Sequence, residues 1–421
     1  MKTVSKKAVR SKRQTELVAM SEEELAFETR MAAIQMLIPV ALERVNEDLQ
    51  KEHAALVGKR YGRGTPLGPW GTNAGSVYLG DQKVRVRVPR VRDRLAETEV
   101  PLRVYQRLQS PGIIDWAALQ RVINGISTAK YEKAVLSVPE TFGIKRNSIS
   151  RRFKYASARK LAVMSERDLS GYDIVAIFLD GKHFSTDHEI VVALGVTLTG
   201  EKVILGMVET STENATVCRD FINGLIRRGL RVEDPILCII DGGKGIYKGL
   251  KDVLGDQAVI ARCQWHKREN VLEYLPKGRR DEYRRKLQTA YEQSSYDAVK
   301  KQLNTIQREL RLINGSAANS LEEGFEETLT LHRLGMFEKL GKSFKTTNAI
   351  ENVNAQLGIY TDRVSYWKNS EQRQRWVATA LLETEPRLRK VRGYEHLPEL
   401  RTAMQQFVVE RKRKLELNQA A

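Results

Sequence analysis

Residues 236–243 read ILCIIDGG, and residues 174–181 read IVAIFLDG. Each is a short, β-branched apolar run that stops at an aspartate followed by glycine. Such runs read as strands buried on two faces. The glycine lets the chain turn closely just past the carboxylate. A single acid after a strand is an ordinary turn former. Two such units in one chain, ending at Asp180 and Asp241, suggest a site.

The elements around them have an informative order. YDIVAIFLD, EIVVALGVTL, a turn at Thr199-Gly200 and KVILGMVET form a meander. Helix ATVCRDFINGLIRRGL, strand PILCIID, helix GIYKGLKDVLG and strand AVIARCQW follow. Three consecutive strands and then αβαβ is the ribonuclease H-like order, which sets the first and fourth strands side by side. Asp180 and Asp241 would then meet at adjacent strand ends. Residues 267–345 are charged and helical in pattern, as an inserted helical region would be. Past them, KTTNAIENVNAQL spaces Ile350, Val353 and Leu357 for one buried helix face.

The 421 residues, 41% hydrophobic and 29% charged, are those of a soluble globular protein of two or three domains. The net charge is +18, and residues 61–170 carry +11 of it. That excess favours a polyanion, most often nucleic acid. Residues 1–60 look mostly helical, and 61–75, YGRGTPLGPWGTNAG, read as a loop or linker. In SVYLGDQKVRVRVPR, Val84, Val86 and Val88 alternate with Arg85 and Arg87, which predicts a hairpin about Gly80-Asp81 with a cationic face. Farther on, a helix, a break at Gly143 and a second helix outline a helix-turn-helix. Lys145 and Arg146 lead into that second helix, and Arg151, Arg152, Lys154, Arg159 and Lys160 lie on it. A solvated basic helix pair fits the same pattern. Three cysteines without a C-x-x-C argue against a disulfide framework and for a reducing compartment. The basic start lacks an apolar signal core. The longest apolar stretch, MAAIQMLIPVAL at 31–42, is too short to span a bilayer, so no membrane partner is expected.

Two carboxylates forced together resist joint ionisation unless a cation neutralises them. Mg²⁺, with Mn²⁺ as a possible substitute, is the usual answer and keeps room for phosphate oxygens. Two such ions roughly 4 Å apart can drive an in-line displacement at phosphorus. Glu351 is the candidate third ligand. Asn348-Ala-Ile-Glu351 equally fits a helix start with Glu351 closing a capping box. In RCQWHKREN (262–270), Cys263 and His266 invite metal-ligand and nucleophile readings, but neither has its further partners. His266 is either beside the acids, contacting phosphate, or structural, and Cys263 packing is the plainer reading. Trp265, Trp367 and Trp376 could stack on extruded bases or simply be buried.

Several motifs recur in order: LDGKHF, LGVTLTGEKVILG, IIDGGKGI, RCQWHKRENVLEYLP, TLHRLG, KTTNAIENVNAQL and NSEQRQRWVATALLETEPRLRKVRGYEHLPEL. Over roughly 75–400 the chain resembles the Mutator-type transposases of bacterial insertion sequences. The resemblance implies a DDE transposase with Asp180, Asp241 and Glu351 as Mg²⁺ ligands and Cys263-x-x-His266 as a family signature. ATVCRDF departs by lacking a tryptophan that many relatives carry there. The expectation is an α/β protein with a ribonuclease H-like core in 171–266 and 346–421. A helical insertion fills 267–345, a basic DNA-binding region 61–170, and a helical region 1–60. Its catalytic residues would be Asp180, Asp241, Glu351 and His266. Its DNA contacts would be Arg85, Arg87, Lys145, Arg146, Arg151, Arg152 and Lys154. Such a protein would act on the terminal inverted repeats of its element and on target double-stranded DNA. It would work as a homodimer or higher oligomer in the bacterial cytoplasm, at the nucleoid. The alternatives are a structure-specific nuclease that stops at hydrolysis and a non-catalytic DNA-binding regulator.

Overall fold

A computed structural model describes residues 38–58, 66–79, 82–109, 123, 141–142, 146–185, 188–210, 214–362, 364 and 366–420. The fold is mixed α/β with two sheets. The chain divides into two compact units, residues 1–122 with 126–153 and residues 123–125 with 154–421.

The first unit is built on a long hairpin. β1 (Leu67–Leu79) pairs antiparallel with β2 (Gln82–Asp93), in register to Leu79 opposite Gln82. Val77, Val86 and Val88 pack with Val45 and Leu49 of helix α1 (Ile38–Val57). The opposite face exposes Arg85 and Arg87, set across from Ser76 and Ala74. β3 (Glu99–Val100), helix α2 (Arg103–Arg107) and β4 (Thr141–Phe142) complete the described part.

Two sequence expectations change here. Residues 67–75, read as linker, are strand: the glycines and small residues that suggested a loop pair along β2 through a bulge between Pro69 and Thr72, with Gly71 at φ +78. Thr141 and Phe142, expected in a helix before Gly143, instead pair with Val84 and Lys83 and occupy part of the edge of β2. The rest of that expected helix lies outside the described residues. Helix α3 (Arg146–Glu166) follows, and the division between the units falls within it.

The second unit centres on a five-stranded sheet. Its strands are β5 (Ile174–Ser185), β6 (His188–Thr197), β7 (Lys202–Thr210), β8 (Ile236–Ile240) and β9 (Ala258–Arg262), in the order β7-β6-β5-β8-β9. β5, β6 and β7 are antiparallel, whereas β8 runs parallel to β5 and β9 parallel to β8. Helices α4 (Ala215–Arg227) and α5 (Lys244–Leu254) make the two crossovers and cover one face through Cys218, Ile222, Leu225, Ile246 and Leu250. Asn214 starts α4 by accepting the Thr216 N–H at 2.8 Å.

The chain from 264 to 344 is helical throughout: α6 (Gln264–Glu273), α7 (Lys277–Tyr291), α8 (Tyr296–Ile313), α9 (Gly315–Glu322), α10 (Phe325–Thr328), α11 (Thr330–Arg333) and α12 (Phe337–Phe344). α6 to α9 share their own core around Leu287, Leu303 and Leu310. α13 (Asn348–Thr361), α14 (Ser370–Thr384) and α15 (Leu397–Ala420) then cover the second face of the sheet. Phe178 of β5 stacks on Phe344 of α12, with centroids 5.8 Å apart.

The outer edge of β7 is met by side chains. Glu385 accepts the Ile204 N–H at 2.7 Å and holds Arg167 in a two-pronged pair at 2.6 and 2.7 Å. Arg167 donates to the Ile204 carbonyl, and Arg228 to that of Leu205. Among the described residues, no helix is long and apolar enough to cross a membrane.

Candidate active site

Strand periodicity brings the acids together. Ala176 and Phe178 on β5, Leu237 and Ile239 on β8, and Val259 and Ala261 on β9 all face the layer that holds α13. Leu179 pairs with Ile240, and Ile240 with Arg262. The next row along therefore holds Asp180, Asp241 and Cys263, two residues on from that buried set and on the same face. Neighbouring strands lie about 4.8 Å apart, so the two aspartates are side by side. Across from them, α13 buries Ile350, Val353 and Leu357 and carries Glu351 on its first turn.

Electrostatics tie the group together. Asp180 is pushed up to about 6 by burial and by the charge of Asp241, with Glu351 adding to it. His266 and a hydrogen bond from Asn354 pull it back. The His266 imidazole is held up to about 9 by its hydrogen bond to Cys263, against burial, with the charges of Cys263, Glu351 and Asp241 helping. Burial pushes the Cys263 thiol up, but bonds from His266 and Thr347 outweigh it and leave the thiol below its ordinary value. Cys263 also starts α6, its sulphur accepting the His266 backbone N–H at 3.5 Å.

Glu351 does not close a capping box. α13 begins after Thr347, which makes no side-chain cap bond. The Thr347 hydroxyl donates instead to Glu351 Oε1 and lies 3.2 Å from His266 Nδ1 and 3.4 Å from Cys263 Sγ. A hydroxyl has one proton and two lone pairs, so the Thr347 oxygen can also accept from a protonated His266 Nδ1.

Two arrangements could hold a metal. The ligand atoms of Cys263, His266 and Glu351 lie within 4.8 Å of one another. The Thr347 hydroxyl already sits among them, however, and an ion needing bonds near 2.0–2.3 Å would have to displace it. The Asp180, Asp241 and Glu351 cluster suits a hard cation better. Its carboxylates disfavour one another's charge, and Asn354, bonded to Asp180, keeps a buried Oδ1 without a partner among the described residues. Oxygen donors of this kind are what Mg²⁺ takes.

A family model described as "Transposase, Mutator family" matches residues 12–389. The chain belongs to the Mutator family of transposases. It is similar to the transposase for insertion sequence element ISRM5 of Rhizobium meliloti (strain 1021), 26% identical over 326 residues, covering 76% of this chain and 79% of that protein. It is also similar to the transposase for IS256 in transposon Tn4001 of Staphylococcus aureus, 24% identical over 319 residues, with 71% and 76% covered. The transposase for IS6120 of Mycolicibacterium smegmatis is 26% identical over 200 residues, 46% of this chain and 60% of that protein. Members of this family carry out DNA transposition and generally use divalent metal ions.

The transposase's expected DNA contacts are placed unevenly. Arg85 and Arg87 are exposed on the hairpin, and Lys154 is exposed on α3. Arg146, Arg151 and Arg152 belong to α3, but their side chains lie outside the described residues, as does all of Lys145. Lys160 is committed to an ion pair with Glu383 at 3.3 Å, and Ser157 is buried and receives a bond from Arg375. The later half of α3 therefore packs along one face, while Arg159 on the other is exposed.

Three residues at the site escaped the sequence reading. Asn354 donates its Nδ2–H to Asp180 Oδ2 at 2.7 Å, and its main-chain carbonyl accepts from Lys182 Nζ at 2.9 Å. Thr347 is the shared hydroxyl. Glu189 is a buried carboxylate on β6, raised by burial and by Asp241, and lowered in part by His183. Asn354 had one faint signal, its position a helical turn after Glu351.

Proposed function

We propose that this transposase is a DDE enzyme on a ribonuclease H-like core, acting on the terminal inverted repeats of its element and on target DNA. What carries the reading is the row that sets Asp180 beside Asp241 and faces both toward Glu351 on α13. The strand order β7-β6-β5-β8-β9 and the helical stretch before α13 support a core interrupted by an insertion at 267–345.

In this reading Asp180, Asp241 and Glu351 hold Mg²⁺, or Mn²⁺ in its place. Bound there, the metal would activate an attacking oxygen and stabilise the leaving one in a displacement at phosphorus. Water attacks first to free a 3′ hydroxyl at the element end, and that hydroxyl then attacks a second phosphodiester. The protein's own groups set the stage. Asn354 and Lys182 fix α13 against β5. Thr347 orients Glu351 and the His266 ring, whose remaining N–H donates to a phosphate oxygen of the scissile group. Region 61–170, with Arg85, Arg87 and the basic start of α3, binds the ends. Two ends must be held at once, so the working form is at least a homodimer.

The test uses the full chain, Mg²⁺ and end DNA. Asp180→Asn, Asp241→Asn and Glu351→Gln should each abolish cleavage and strand transfer while leaving end binding intact, because none removes a cation from the binding region. His266→Ala should lose cleavage about a hundredfold with its melting temperature little changed. Near-normal cleavage by any acid variant removes that residue from the site. Cleavage without any transfer product would favour the nuclease alternative.

A further inference from the structure

The fold leaves one tryptophan of the second unit half exposed. Trp265 is 46% exposed, at the start of α6 beside the acids. Its ring meets the His266 imidazole edge to face, centroids 4.8 Å apart. The other two tryptophans of this unit are occupied by aromatic neighbours. Trp367 and Trp376 pack against each other at 6.2 Å, and Trp367 also meets Phe184 at 5.7 Å.

The mount of Trp265 is stiff. On one side Gln264 is buried, its N–H bonded to the Lys345 carbonyl at 3.0 Å and its side chain to that of Thr328 at 2.9 Å. On the other side Lys267 is fully buried, with Nζ on the Ser320 carbonyl at 2.6 Å. Backbone and the two flanking side chains are thus fixed while the indole faces solvent. A pre-ordered aromatic loses little freedom when a flat ligand lands on it.

We infer that Trp265 is a stacking platform for a nucleobase that flanks the scissile phosphate and has been unstacked from the duplex. This rests on the proposed site above, since it takes the acids as marking where the phosphate lies. Next to the negative acids, an uncharged hold on the base would add to what the His266 N–H and a bound metal give the phosphate. Stacking supplies one and tolerates any sequence, because every base has a π-face. Trp265 is in this sense a positioning residue: it fixes the strand while other groups act on the phosphate.

The experiment compares wild type, Trp265→Ala and Trp265→Phe as full chains. Affinity for end DNA is measured without metal, and single-turnover cleavage with Mg²⁺. Each is run on intact DNA and on DNA made abasic, in turn, at the positions either side of the cleavage point. Trp265→Ala should weaken binding and slow cleavage about tenfold or more on intact DNA. At one abasic position it should cost almost nothing further, and Trp265→Phe should retain most of the wild-type behaviour. Equal affinity of wild type and Trp265→Ala overturns the inference. So does a loss of the same size at every abasic position, which would make the ring structural. The metal-free affinities stand apart from the acid-site reading, which fails separately if Asp180→Asn still cleaves.

Discussion

Cys263, His266 and Glu351 all lie within reach of one hydroxyl, that of Thr347. This shared hydroxyl links the His266 ring to Glu351, whose charge is felt at Asp180. The cost of assembling the acids falls on Asp180, which is pushed up to about 6 from an ordinary 3.8. Between about pH 4 and 6 the folded chain keeps a proton there that the unfolded chain has released. Stability contributed by this group therefore falls as pH rises through that window, and the penalty is complete above it. Asp180→Asn should make the metal-free protein more stable than wild type at pH 7.5, by about 2 kcal/mol or a few degrees, and no different at pH 4. Calorimetry at the two pH values checks this. Mg²⁺ should raise the melting temperature of wild type far more than that of the variant. A variant that melts at or below wild type at pH 7.5 would mean the acids are not strained against one another.

At the scale of elements, β5 and β6 hold a tight pairing beside the site. A Cβ on Gly181 would lie 1.9 Å from Glu189 Oε1, and the Glu189 side chain is only 5% exposed, with little room to swing. Gly181→Ala should cost about 1–3 kcal/mol. Glu189→Ala in the same chain should recover most of it, a coupling that urea unfolding of the two single variants and the double variant would read. Additive losses would show that the strain lies elsewhere. That the two aspartates lie side by side was legible, because a strand's period of two and a parallel pair fix which residues are neighbours. The expected turn at Gly181 is absent, however: β5 runs past Asp180 to Ser185, paired with β6 throughout. Glu189, Thr347 and Asn354 were not legible, since each matters only through a contact across the fold. Asn354 reaches Asp180 across 174 residues of chain. The strand at 67–75 was misread for the opposite reason. Its glycines and small side chains resemble a loop locally, and only the valines of β2 reveal a ladder.

For the molecule as a whole, the proposed function puts binding and chemistry in different units. Arg85 and Arg87 stand exposed on the hairpin of the first unit, whereas every acid of the site is in the second. Arg85→Gln with Arg87→Gln should weaken end binding and lower the slope of log affinity against log salt by about 2. Lys277→Gln with Arg279→Gln should leave both nearly unchanged. Filter binding across a salt series decides, and equal losses from the two pairs would move the DNA surface off the hairpin. The closed margin of β7 bears on how copies meet. Arg167, Glu385 and Arg228 answer Ile204 and Leu205 as a sixth strand would. A visiting strand would have to break a two-pronged ion pair before forming its first rung. At Ile204 and Leu205, therefore, β7 offers a strand from a second copy no free rung, and a crowded solution of the protein finds no template for fibre growth at that stretch.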